Sequence, residues 1–84
     1  MYIYLIERPD ECDYDEFDSA VVCCATEEEA RMTHPRVSYT DRPWDGLRTQ
    51  FDSWVDAKDV VVTKIGLAHP KTERGVICAS FNAG

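Results

Sequence analysis

The sequence predicts an α+β domain: a small four-stranded, mostly antiparallel sheet with one or two short helices on one face, in the order β-β-α-(α)-β-β. Four stretches rich in β-branched and aromatic residues are separated by polar or proline-containing segments. A Thr-Glu-Glu-Glu run opens a helix between the second and third of them. A chain of 84 residues has room for one modest core, so residues 1–84 read as a single domain.

The first strand is Tyr2 to Arg8, closed by Pro9, and its density of apolar groups suits an interior position. Asp10 to Glu16 reads as a loop, and an antiparallel hairpin is the simplest connection for a link this short. Phe17 to Ala25 is the second strand. From Ala20 onward both of its faces are small or apolar, as in the middle of a sheet. Cys23 and Cys24 are neighbours there and point to opposite faces.

Thr26 stops that strand and opens a capping box. Its hydroxyl accepts from the N–H of Glu29, and the Glu29 carboxylate reaches back to the N–H of Thr26. Glu27, Glu28 and Glu29 complement the helix dipole, and Glu27 stands four residues before Arg31 in the favourable order. His34-Pro35 ends the helix, because proline pushes the residue before it out of the helical region.

Residues 35–57 admit two readings. Trp44, Leu47, Phe51, Trp54 and Val55 fall on one face of a helix with Pro43 near its start. Gly46 counts against that helix by about 1 kcal/mol. The alternative is an irregular loop whose two tryptophans plug the sheet. Asp59 to Gly66 is the third strand, with Val61, Thr63 and Ile65 on one face. Gly75 to Phe81 is the fourth, with Ile77, Ala79 and Phe81 on one face and Val76, Cys78 and Ser80 on the other. The polar turn between them, containing Pro70, makes a hairpin the simplest pairing of these two strands.

The net charge of −7 is unevenly spread. Residues 1–29 hold ten acids against one base, Arg8, for −9; residues 30–84 hold six acids against eight bases, for +2. Direct binding to nucleic acid is disfavoured, because phosphate contacts need clustered Lys and Arg. An acidic chain is steered to basic partners instead.

The candidate binding residues follow from that asymmetry. Asp10, Glu11, Asp13, Tyr14, Asp15, Glu16 and Asp18 lie in or beside the first loop, and Glu27 and Glu28 lie at the helix start. Acid mixed with an aromatic suits docking onto a basic protein groove. The two groups are expected to form one continuous negative face. Asp13, Asp15 and Asp18 also alternate as calcium ligands would, but the glycine and closing glutamate of an EF-hand loop are missing. No metal or other cofactor is expected.

Catalysis is not expected either. There is no GxSxG, GxGxxG or GxxxxGK[ST], and no CxxC. Cys12, Cys23, Cys24 and Cys78 read as reduced, mostly core-filling thiols. The opening residues lack a basic leader, and no apolar run approaches the 18 or so residues of a membrane span.

Four segments, YIYLIER, YDEFDSAVVCCATEEEAR, WVDAKDVVVTKIG and GVICASFNAG, resemble short uncharacterised proteins predicted from tailed-bacteriophage genomes. They cover most of the chain outside roughly residues 36–53. That group carries no assigned activity, so the resemblance transfers no functional residue. It implies a source class: small acidic proteins made in the infected cell that bind a host protein, with anti-CRISPR and other anti-defence inhibitors among them. The implied partner is a host protein with a basic surface, a CRISPR effector being one example, met in the host cytoplasm. The acidic third would stand in for the phosphates of its nucleic acid. The alternative function is a structural or accessory domain that self-associates through a sheet edge or through the aromatic patch around Trp44 and Trp54.

Overall fold

The computed structural model describes residues 1–36, 44–49 and 52–82. Four strands, β1 (Tyr2–Glu7), β2 (Glu16–Cys24), β3 (Val61–Leu67) and β4 (Gly75–Asn82), form one antiparallel sheet. Between β2 and β3 the described residues form a short helix, α1 (Glu27–Arg31), and a 3₁₀ turn (Ala57–Asp59). The small α+β class expected from the sequence is the one observed.

The strand order is β3-β1-β2-β4. β1 and β2 form the central hairpin, with Tyr4 opposite Val22 and Ile6 opposite Ala20. The expected β3–β4 hairpin does not form. Each strand instead takes one flank of the central pair, β3 beside β1 and β4 beside β2. The connection 68–74 passes the end of the central hairpin, where the Ala68 N–H donates to the Met1 carbonyl at 3.0 Å. Crossing three strand spacings needs about 14 Å, and seven residues reach more than about 20 Å. A short polar link is therefore compatible with either topology. Pairing on both flanks of β1 and β2 buries their dense apolar runs in the middle of the sheet.

One face of the sheet is covered. Tyr4, Ile6, Ala20, Val22 and Cys24 face Ala30 of α1 together with Trp54, Val55 and Val60, and these residues form the core cluster. The opposite face carries Ile3, Leu5, Val21 and Cys23 at its centre, by strand alternation. Val61, Thr63, Cys78 and Ser80 lie toward its edges and are exposed.

Three bulges adjust this alternation. Ile65, Asp18 and Ile77 are the extra residues, each without a direct partner across the ladder. The bulge at Ile77 places Val76 opposite Val22, against the core, while Cys78 and Ser80 face the other way. So Ala79 and Phe81 keep their expected shared face, whereas Ile77 and Val76 do not.

α1 is only five residues long. The Thr26 hydroxyl accepts from the Glu29 N–H at 3.1 Å, as its sequence predicts. Glu29 reaches back one residue further than expected, accepting from the N–H of Ala25 at 3.2 Å. Arg31 does not pair with Glu27. It turns inward and donates to the carbonyls of Ala57 and Val60, tying the helix to the segment before β3.

The helix expected around Trp44–Val55 is absent from the described residues; Pro43 and Phe51 lie outside them. Gly46 takes φ +84, a left-handed conformation that breaks a helix there, and a Cβ on it would sit 3.1 Å from Met32 and Ala57. Trp44 and Trp54 nevertheless cover the sheet, as in the loop alternative: Trp54 is fully buried, and Trp44 packs against the core cluster.

Candidate functional site

The tip of the β1–β2 hairpin holds most of the acids singled out in the sequence, and its organiser is the lone base among them. The Arg8 side chain is 3% exposed. Its Nε and Nη2 grip both oxygens of Asp10 at 2.7 and 3.2 Å. Its Nη1 donates to the Phe17 carbonyl at 3.2 Å and lies 3.5 Å from Glu16. A planar guanidinium is suited to this fork-like grip, which a lysine cannot reproduce. The hydrogen bond from Arg8 holds the Asp10 carboxyl below its usual range.

Glu16 is the second internal link. Besides Arg8 it meets Arg48 Nη2 at 2.7 Å, and it accepts from the Asp13 N–H at 2.9 Å. Its burial corrects its expected role, because it braces the loop from within as the first residue of β2. Cys12 Sγ donates to the carbonyls of Asp13 and Glu16. From the far side, Asn82 Nδ2 donates to the Asp13 carbonyl and the Asp15 N–H donates to the Asn82 carbonyl. Asp15 has φ 59, a left-handed position that aspartate tolerates better than most side chains.

The loop is therefore pinned at several points, and what it projects is well defined. Glu11, Asp13 and Asp15 are exposed and have no ion pair among the described residues; Tyr14 between them is 74% exposed. Asp18 faces the open side of the sheet, accepting from the hydroxyls of Ser19 at 2.8 Å and Ser80 at 3.1 Å. Six carboxylates at the tip meet two guanidiniums, Arg8 and Arg48, leaving four net negative charges.

Beneath the tip, on the covered face, lies a row of rings. Phe81 and Phe17 are 4.9 Å apart, and His34 stands edge-on to both Phe17 and Trp44. His34 Nδ1 accepts from the Arg36 N–H, so Nε2 carries the proton and donates to Asp52 at 2.7 Å. Both side chains of that pair are largely buried, which makes it part of the support for the hairpin rather than a surface group.

Glu27 and Glu28 do not join this surface. They follow the far end of β2, and its nine residues separate them from the tip by about 26 Å. Glu29 beside them is paired with Arg74 at 2.8 Å. The single negative face expected from the sequence is thus two acidic patches at opposite ends of the sheet, with Asp10 and Glu16 paired to buried Arg8 and Glu29 paired to exposed Arg74. Arg8 was the legible clue to this, a solitary base in an acidic stretch. The partners of Glu16 and Glu29, 32 and 45 residues away, left no local signal.

Burial pushes the Cys12 and Cys24 thiols up, away from the range of reactive thiolates. Among the described residues no group of three His, Cys, Asp or Glu side chains is placed to hold a metal ion. No described helix is long and apolar enough to cross a membrane. No protein-family profile, curated protein or solved structure matches the chain.

Proposed function

We propose that this chain is a non-enzymatic binding protein that sets its acidic hairpin tip against a basic groove of a partner protein. The supporting observation is Tyr14, highly exposed between Asp13 and Asp15, which have no ion pair among the described residues, on a loop held by buried Arg8. A rigid loop loses little conformational freedom on docking, and an exposed aromatic flanked by charge is a favourable anchor. The sequence resemblance extends the proposal to a phage protein acting in the host cytoplasm. Its partner would be a host nucleic-acid-binding protein, an anti-CRISPR or other anti-defence target, whose groove the tip fills in place of phosphates.

Glu27 and Glu28 are left out of this contact by their distance from the tip. The test is a pull-down from host lysate with the wild-type chain and with a Glu11→Lys/Asp13→Lys/Asp15→Lys variant, which spares the internal links of Asp10 and Glu16. A specific partner should be retained by the wild type, elute as salt rises, and be lost from the variant with its thermal melt unchanged. Equal retention by a folded triple variant would sink the proposal.

A further inference from the structure

The acidic tip and the loop that carries Trp54 are far apart in sequence, yet the first two residues of β2 fasten one to the other. Glu16 accepts from Arg48 Nη2 at 2.7 Å, and the Phe17 N–H donates to the Ser53 carbonyl at 2.9 Å. The next residue along, Trp54, is fully buried in the core. The loop is also closed across its own neck. The Ala57 N–H donates to the Gly46 carbonyl at 2.8 Å, and the Arg48 N–H donates to Asp56 Oδ1 at 2.6 Å.

Arg48 therefore stands in both sets of bonds, its backbone in the neck and its side chain on the tip. Lifting Trp54 out of the core displaces Ser53 beside it and pulls on Phe17. Opening the neck frees the backbone of Arg48 and slackens its grip on Glu16. Glu16 in turn holds the Asp13 N–H at 2.9 Å, so slack in Arg48 reaches the residues that the tip projects. Groups tied in this way open together as a local cooperative unit, below the cost of unfolding the whole chain.

We propose that the acidic tip and the Trp54 loop open and close as one unit, with Arg48 as the strut between them, so that the tip keeps its shape only while Trp54 is seated. Such coupling goes beyond the proposed function and holds whether or not the tip meets a partner.

Amide hydrogen exchange of the whole chain, followed by NMR under native conditions, tests it. The informative tip amides are those of Asp13 and Asp15, because their acceptors, Glu16 and the Asn82 carbonyl, lie outside the loop. Asp56→Ala removes one bond at the neck and touches nothing in the tip. Exchange at Ala57, Asp13 and Asp15 should quicken by a common factor of at least about five, as for the loss of one hydrogen bond. Ile6 and Val22, in the centre of the sheet, should keep their rates. Trp54→Phe, which loosens the seat instead of the neck, should move the same three amides together. Quickening at Ala57 without Asp13 and Asp15, in either variant, overturns the proposal. So does equal quickening at Ile6 and Val22, which makes the opening global, and so does no change at any of the three amides in both variants. Partner capture is read separately in the pull-down, so the failure of either proposal leaves the other standing.

Discussion

Arg8 illustrates how one side chain governs the character of its surroundings. In sequence it is a lone cation among ten acids; in the fold it is almost completely buried and grips Asp10, Glu16 and the Phe17 carbonyl together. Replacing it with methionine keeps the bulk and removes the grip. The expected cost is about 2–3 kcal/mol by urea denaturation, below the full cost of breaking a buried ion pair because Asp10 is half exposed. The acid limb changes too. Asp10 is held below its ordinary range by Arg8, so its contribution is present above the unfolded carboxylate range and is lost as pH falls through its folded value. Arg8→Met should lose that component, which a pH series of urea midpoints would show. A variant as stable as wild type at neutral pH would refute the clamp. The acids themselves were legible in the sequence, but which of them are spent on internal links was not. That depends on arginines brought near only by the fold.

At the level of elements, the strands were legible and their pairing was not. Period-two patterning and β-branched residues marked all four, because those signals are local. Nothing local distinguished a β3–β4 hairpin from two strands flanking the central pair, and the three bulges have no sequence mark here. The spacing of Trp44, Leu47 and Trp54 imitated a helical face, yet Gly46 sits in a left-handed conformation, and the described residues of this loop, Trp44 and Trp54 among them, cover the sheet without helical structure. The cover therefore owes more to that loop than to α1, which offers one fully buried side chain, Ala30. Trp54→Ala should cost about 3–5 kcal/mol, as for large aromatic truncations in a core. Thr26→Ala should cost about 1 kcal/mol, as for loss of a helix cap. Denaturant midpoints measure both. The reverse ranking would mean that the helix, not the loop, holds the covered face shut.

For the molecule as a whole, the sequence reported how much negative charge there is but not how it is arranged. The N-terminal third is folded along β2, so its two acidic clusters are carried to opposite ends of the sheet. The adjacent cysteines of β2 have a consequence of another kind. Cys23 and Cys24 are both buried, side by side in a central strand, with one thiol behind each face. Under pulsed alkylation they act as two clocks in one strand. If the sheet and its cover open together, the two thiols should be modified at one shared slow rate, after Cys78. If the Trp54 loop lifts away first, Cys24 should run ahead of Cys23, and the order of modification would report which side of the protein breathes.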